Sequence, residues 1–333
     1  MKNELKIFSD HDINQILDAK AKTSYLAMYS SQWGGITRDT KWMMVPIDDH
    51  VVHRGDGVFE AIKFLNHQVY GLDEHLQRLS QSSRSIELAS HLSIEEIKDI
   101  ILQTVRASGS KDGLIRLYLT RGTGGFTTNP YDCSQAGLYI VITQFTPPAA
   151  DKYSEGVSCK ISKYAAKEDF YTQIKSCNYL QNVLMKKDAV DSKVDFTLAV
   201  DARGFITEGS TENCAFVNDQ NELLIPSFEN TLRGITITRV IELAEGLVTD
   251  GELKGIREKH ISQEEAFMAE EMAFIGTSLD VLPATTLNEK KIGTGKTGPI
   301  FKKLQSLLIQ DIQNPQSKMN TPTTPKTSKV LLR

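Results

Sequence analysis

The sequence predicts a two-domain protein of mixed α and β structure, α/β with α+β character. Three observations carry that expectation. The chain has 333 residues, room for about two globular units at roughly 150 residues each. Runs with strand periodicity and runs with helix periodicity occur in both halves. Between the halves, Pro147 and Pro148 in FTPPAADKYSEG stop an apolar run, because proline cannot donate to a sheet. The expected division is residues 1–146 for an N-terminal α/β unit, 147–154 for a linker and 155–313 for a C-terminal unit. Residues 314–333, NPQSKMNTPTTPKTSKVLLR, are rich in Thr, Pro, Lys and Ser and read as a disordered tail.

Each element has a local reason. A helix over Asp73–Leu88 turns Leu76, Leu79 and Ile86 inward. Ser93 and Glu96 have the spacing of a capping box, and Ile97, Ile100, Ile101 and Val105 follow on one face. Leu114–Thr120 and Leu138–Thr143 read as neighbouring strands around the glycine-dense RGTGG. In the second half, strands are expected at Val157–Tyr164, Val194–Val200, Phe205–Thr207, Cys214–Val217 and Leu223–Ile225. Asn178 is placed to cap a helix bearing Leu180, Val183 and Leu184. The turn Gly234-Ile235-Thr236 opens a helix over Ile237–Gly246, and Phe301, Leu304, Leu308 and Ile312 mark a last helix over Ile300–Ile312.

Composition narrows the function. The formal net charge is −4, whereas a binder of nucleic-acid backbones needs a basic footprint, so no nucleic-acid partner is expected. Apolar runs such as Leu138–Ile142 are far too short to span a bilayer, so no membrane partner is expected. The charged start MKNELKIFSDHDINQ lacks the apolar stretch of a signal peptide. Cys133, Cys159, Cys177 and Cys214 show no CxxC spacing and suit a reducing compartment, so a cytoplasmic location is expected. GTGKT at Gly293–Thr297 is not a complete phosphate loop, since Lys290 stands where the first glycine belongs, and it reads as a turn before the last helix. RGTGGF completes no GxGxxG, because Thr127 takes the last position. Asp48–His53 lacks metal-ligand spacing, and no metal site is assigned.

One constellation remains. HRGDGVFEAIKF (His53–Phe64) and YGLDEHLQRLSQSSRSI (Tyr70–Ile86) are followed by TQIKSCNYLQNVL (Thr172–Leu184) and LAVDARGFITEGSTENCAFV (Leu198–Val217). LRGITITRVIELA (Leu232–Ala244) and FIGTSLDVLP (Phe274–Pro283) complete the set. In this order the segments resemble the class IV, fold-type IV pyridoxal-phosphate enzymes over about residues 25 to 313. That family includes branched-chain and D-amino-acid aminotransferases and aminodeoxychorismate lyase. The resemblance implies a D-amino-acid-aminotransferase-like fold with a smaller N-terminal α/β sandwich and a larger C-terminal α/β barrel-like domain. It also implies pyridoxal 5′-phosphate in the cleft between them and a homodimer.

The resemblance makes Lys175 the catalytic lysine that forms a Schiff base with the cofactor and moves the substrate's α-proton. That work needs an amine whose charged form is disfavoured. Glu208 matches the acid facing the pyridine nitrogen, where a carboxylate keeps the ring an electron acceptor. Arg78, Ile235, Thr236 and Thr277 match the phosphate contacts, and Tyr179 the hydrogen-bond partner of the ring oxygen. For the substrate, the resemblance points to Phe59, Arg116, Phe126, Thr277 and Ser278. Phe59 and Phe126 would form an apolar wall, and the Thr277–Leu279 turn would offer amides to a carboxylate.

Among family members, the D-amino-acid enzymes hold the substrate carboxylate with an arginine and a histidine where this chain has Phe126 and Thr128. Ala61 replaces the lyase's threonine, and Leu114-Ile115-Arg116 keeps the arginine of the branched-chain pattern without its tyrosine. The expected activity is a transaminase moving an amino group between a branched-chain L-amino acid and a 2-oxo acid such as 2-oxoglutarate. A D-amino-acid aminotransferase, the lyase, and a non-catalytic cofactor- or nucleotide-binding protein stay open beside it.

Overall fold

The computed structural model describes residues 5–19, 24–167 and 169–324. Its strands form two sheets. The first takes β1 (Tyr25–Ser30), β2 (Gly35–Thr37), β3 (Gly57–Leu65), β4 (Gln68–Tyr70), β5 (Gly113–Thr120) and β6 (Gly137–Thr143). The second takes β7 (Val157–Ile161), β8 (Phe196–Val200), β9 (Phe205–Gly209), β10 (Asn213–Val217) and β11 (Glu222–Pro226). It continues with β12 (Gly255–Lys259), β13 (Ile261–Ser262), β14 (Glu271–Gly276), β15 (Asp280–Leu287) and β16 (Lys290–Lys291). A last strand, β17 (Asn320–Pro322), returns to the first sheet, whose order is β17-β4-β3-β5-β6-β1-β2.

All pairings of the first sheet are antiparallel. One face is covered by the helices Leu72–Ser85 and Ile94–Ser108, and Val58, Ile62, Phe64, Ile115 and Leu117 pack there with Leu76, Leu79, Ile97 and Ile101. The capping box forms as expected: the Ser93 hydroxyl accepts from Glu96 N–H and the Glu96 carboxylate accepts from Ser93 N–H.

The second sheet runs β12-β11-β10-β14-β15-β7-β8-β9-β13, with β16 beside β15. Its two ends approach, β9 and β13 coming close to β11, so it is a nearly closed barrel. Its strands read as continuous apolar runs because both faces are buried. Cys214 and Phe216 point into the barrel with Phe274 and Leu282, while Ala215 and Val217 point outward. The outer face is covered by the helices Ile235–Thr249 and Pro299–Gln313. These two layers explain why period-2 alternation is weak in this half.

Several elements differ from the expectation. Asn178 caps nothing: the helix is Leu180–Asp191, its N-cap is Tyr179, and the Asn178 amide donates to Gly55 O at 3.2 Å. The turn at Gly234 belongs to a helix that already starts at Ile235. Within the expected linker, Ala150–Glu155 is a short helix.

The tail boundary is also corrected. Residues 314–324 are folded: β17 pairs with β4, Gly71 N–H donates to Met319 O at 2.8 Å, and Met319 is buried in the outer core. Asp311 ties the strap down, accepting from Tyr70, Arg239 and Ser317. Composition missed this because a short edge strand needs one buried apolar side chain and a free sheet edge, not a core of its own. Residues 325–333 of the expected tail lie outside the described residues.

All four cysteines are free, and no helix among the described residues is long and apolar enough to cross a membrane. Gly293–Thr297 forms the turn before the last helix. The first N–H groups of that helix are already occupied, since the Glu271 carboxylate accepts from Ile300 and Phe301 N–H, both at 3.0 Å. A helix start filled by a carboxylate offers no phosphate cradle, which removes the nucleotide reading of GTGKT.

Candidate active site

The chain crosses between the sheets at Lys175, and its backbone is pinned there to the first sheet. Phe59 N–H donates to Lys175 O at 2.9 Å, and Cys177 N–H donates to Gly57 O at 2.8 Å. Lys175 N–H donates to the Ser82 hydroxyl at 3.3 Å, and Ile174 is buried beside it. The Lys175 ammonium lies 4.8 Å from the centre of the Phe59 ring and makes no hydrogen bond or ion pair among the described residues. Burial, and then the charge of Arg78, lower its pKa from 10.5 to about 8.

Around it opens a cleft lined by Arg78, Lys175, Tyr179, Glu208, Ile235, Thr236 and Thr277. The structure thus brings together every residue that the sequence proposed for the cofactor. They come from the starts or faces of the helices Leu72–Ser85 and Ile235–Thr249, from β9, from the β14–β15 turn and from the crossing between the sheets.

Arg78 is held by a partner that sequence reasoning missed. Glu60 on β3 is fully buried and accepts from Arg78 Nε at 2.8 Å and from Nη2 at 2.7 Å. His75 Nδ1 lies 2.7 Å from the same carboxylate, one helix turn from Arg78, so both meet one strand. Burial pushes the Glu60 carboxyl up, but Arg78 and then His75 outweigh it and hold the pKa down at about 2. Arg78 Nη1 donates to Arg233 O at 3.1 Å, so the guanidinium is fixed before any ligand arrives. A signal was present: in GVFEAIKF, Glu60 shares the inward parity of Val58, Ile62 and Phe64.

Glu208, on β9, accepts from Leu232 N–H at 3.3 Å. Burial raises its pKa to about 7, against the opposing charges of Lys175 and Lys167. Lys167 is a second lysine near the cleft, 4.9 Å over the Tyr179 ring, and sequence reasoning missed it as well. Burial, and then Glu208, push the Tyr179 phenol up, so it stays a donor. The helix Ile235–Thr249 starts without a side-chain cap, leaving its first N–H groups free for an anion. Gly234 is required at that start, because a Cβ there would sit 2.1 Å from Asn213 Oδ1.

The expected substrate residues are more dispersed. Phe59 is not part of the lining but packs against two residues that are, its ring edge-on to Tyr179 at 5.0 Å and 4.8 Å from the Lys175 ammonium, and it stacks on Tyr118 at 6.0 Å. Ser278 is exposed on the same turn as Thr277. Arg116 is half-buried in the middle of β5, opposite Ala61 and Val141, and does not line the cleft. Phe126 is exposed, its ring 5.1 Å from His53, and is outside the lining too. In the Asp48–His53 stretch, Asp49 caps a short helix through Val51 N–H and accepts from Thr120 and Tyr139. Among the described residues no group of three or more His, Cys, Asp or Glu is placed to hold a metal ion.

An unpartnered amine of lowered pKa, a fixed arginine, an uncapped helix start and a buried acid define an enzyme of carbonyl chemistry with a phosphate-bearing cofactor. Comparison with known proteins agrees. Residues 57–287 match the family Amino-transferase class IV. A chloroplastic D-amino-acid transaminase of Arabidopsis thaliana is 37% identical over 310 residues, 92% of this chain and 82% of that one. A putative branched-chain-amino-acid aminotransferase of Methanocaldococcus jannaschii is 29% identical over 269 residues, 80% of this chain and 91% of that one. The crystal structure of the Escherichia coli branched-chain amino acid aminotransferase superposes with a TM-score of 0.82 at 25% identity, covering 91% of this chain and 100% of that one. The chain belongs to the class IV aminotransferases, and it is a pyridoxal-phosphate-dependent transaminase.

The cleft fits that cofactor on its own chemistry. A phosphate would find Arg78, Thr236, Thr277 and free helix N–H groups; an aldehyde would find the Lys175 amine, a ring oxygen Tyr179 and a pyridine nitrogen Glu208. Asn182 adds a buried Oδ1 on the cleft wall that has no partner among the described residues.

Proposed function

We propose that this transaminase takes its nitrogen from a branched-chain L-amino acid and passes it to a 2-oxo acid such as 2-oxoglutarate, with Lys175 as covalent anchor and proton carrier. The observation that carries the reading is the Lys175 amine at the cleft, partnered among the described residues only by an aromatic ring. For the donor, Phe59 and Tyr118 offer a stacked apolar wall beside that amine, suited to an aliphatic side chain. A D-amino-acid donor is the second reading, favoured by the 37% identity to the Arabidopsis thaliana D-amino-acid transaminase. Against it stand Phe126 and Thr128, which supply no charge for a carboxylate.

Bound pyridoxal phosphate supplies a carbonyl that receives the amino nitrogen and a ring that accepts electrons from the α-carbon. The protein's part follows from its own groups. Lys175 Nζ, with its pKa near 8, is poised to take the α-proton and return it to the other side of the transferred nitrogen. With the cofactor bound, Glu208 would keep a proton at the pyridine nitrogen, Tyr179 would donate to the ring oxygen, and Arg78, kept rigid by Glu60, would hold the phosphate. The Thr277 and Ser278 N–H groups, which have no acceptor among the described residues, receive the substrate carboxylate.

The test is optical. The purified holoenzyme should be yellow and should bleach with L-leucine, recovering on addition of 2-oxoglutarate. Bleaching with D-alanine alone would move the donor to the second reading, and a protein left colourless by pyridoxal phosphate would remove both.

The proposed enzyme is a homodimer in the cytoplasm. Trp33, Trp42, Ile47, Val52, Phe126 and Tyr131 are exposed on the loops and short helices that connect strands of the first sheet, an apolar set suited to a second copy of the chain. Sedimentation should give two chains per particle, and a single chain at micromolar concentration would overturn this part.

A further inference from the structure

The hairpin of β14 and β15 turns at Thr277-Ser278-Leu279. Gly276 pairs with Asp280, and Leu279 N–H donates to Gly276 O at 3.2 Å. Asp280 closes the turn with φ +57°. The left-handed residue that ends a three-residue hairpin loop is ordinarily glycine, since a side chain there is strained. An aspartate in that position needs something to hold it.

What holds it comes from the other sheet. The Asp280 carboxylate forms an ion pair with Lys63 of β3, whose side chain is only 2% exposed and lies 5.6 Å from the Phe145 ring. Tyr153, on the short helix between the sheets, donates its hydroxyl to Leu279 O at 3.1 Å. Burial, and then the nearby Asp280 charge, push the Tyr153 phenol up, so it stays a donor. β3 thus reaches the active site three times: Phe59 to Lys175, Glu60 to Arg78, and Lys63 to the hairpin turn. The first two serve groups assigned to the cofactor. The third serves a turn whose Thr277 lines the cleft and whose Thr277 and Ser278 N–H groups find no acceptor among the described residues.

We propose that Lys63 and Asp280 are positioning residues for the substrate carboxylate: their half-buried ion pair locks the left-handed end of the turn, so that the Thr277 N–H at the cleft wall and the Ser278 N–H beside it keep a fixed orientation. The proposal rests on the transaminase reading for what the carboxylate belongs to. An ion pair with its lysine out of water is a costly way to add stability but a good way to fix one geometry.

The test uses the holoenzyme and two readouts. The first is the dissociation constant of 4-methylvalerate, a carboxylate with a branched tail and no amino group, titrated against the cofactor's absorbance. The second is the split between KM and kcat for the donor that bleaches the wild type. Lys63→Met should weaken 4-methylvalerate and raise the donor KM by about tenfold or more, with kcat and cofactor affinity within about threefold. Lys63→Arg, which keeps the charge, should restore both. If Lys63→Met does not fold, Asp280→Asn decides, since asparagine tolerates the left-handed backbone while losing the charge. Carboxylate affinity unchanged in a folded variant, or no 4-methylvalerate binding by the wild type, overturns the proposal. A wild type that binds the carboxylate but transfers no amino group would instead overturn the transaminase reading and leave the positioning role standing, provided the variants lose binding.

Discussion

Replacing Lys175 with alanine should leave a folded protein that binds pyridoxal phosphate without covalent attachment and transaminates about 10⁴-fold more slowly, or less. The expected size of the loss follows from the two tasks proposed for one atom. Lys175 Nζ is the amine at the centre of the cleft, and nothing there shares its place: Lys167 lies over the far ring, that of Tyr179. Lys175→Arg should be as inactive, because a guanidinium keeps the charge and cannot deprotonate to become a nucleophile. Attachment also has a pH signature. An ordinary lysine is mostly ammonium below its usual 10.5, whereas burial and Arg78 lower Lys175 to about 8. The neutral fraction therefore grows as pH rises through 8, and the rate at which wild-type apoprotein takes up cofactor should climb to that point and level off above it. Stopped-flow absorbance and the mass of the borohydride-reduced protein measure both effects. A Lys175→Ala protein that still carries cofactor after reduction would place the anchor elsewhere.

Most of what the sequence states locally, the fold repeats. Ser93 and Glu96 name a helix start because both halves of the capping box lie within four residues, and their hydrogen bonds need no tertiary partner. The Leu114–Thr120 and Leu138–Thr143 strands hold for a similar reason, since one loop brings them into register. Lys175, Arg78, Glu208 and Thr277 were found through an ordered resemblance over most of the chain, and the structure gathers them in one cleft. What stayed hidden depends on partners distant in sequence. Asn178 has the chemistry of a cap, but Gly55, 123 positions away, claims its amide. Glu60 and Lys63 look like ordinary strand charges until Arg78 and Asp280 arrive from other elements. Asp280 cannot be known as left-handed without the register of the hairpin. β17 is the extreme case, a strand that exists because β4 leaves an edge for it.

Replacing Glu208 with glutamine should lower kcat by about 10²- to 10³-fold, the scale of losing one preorganised electrostatic partner in a desolvated site. Glutamine keeps the shape and can still accept from Leu232 N–H, so the loss would come from charge alone. The same substitution should make the apoprotein more stable, and pH shows why. Burial raises the Glu208 carboxyl from the usual 4.5 to about 7. Between those values the folded chain holds a proton that the unfolded chain has released. The group's favourable contribution is thus fully present below about pH 4.5 and is lost as pH rises through about 7. Glutamine has no proton to lose, so the apoprotein Tm of Glu208→Gln should exceed wild type by a margin that widens from pH 5 to pH 8. A carboxylate kept in a cleft that disfavours its charge costs the empty fold stability, as a residue retained for catalysis would. Equal kcat, or a variant less stable than wild type at pH 8, would show that Glu208 is structural. Reduced kcat together with the widening Tm margin would tie the acid's burial to its work at the pyridine nitrogen.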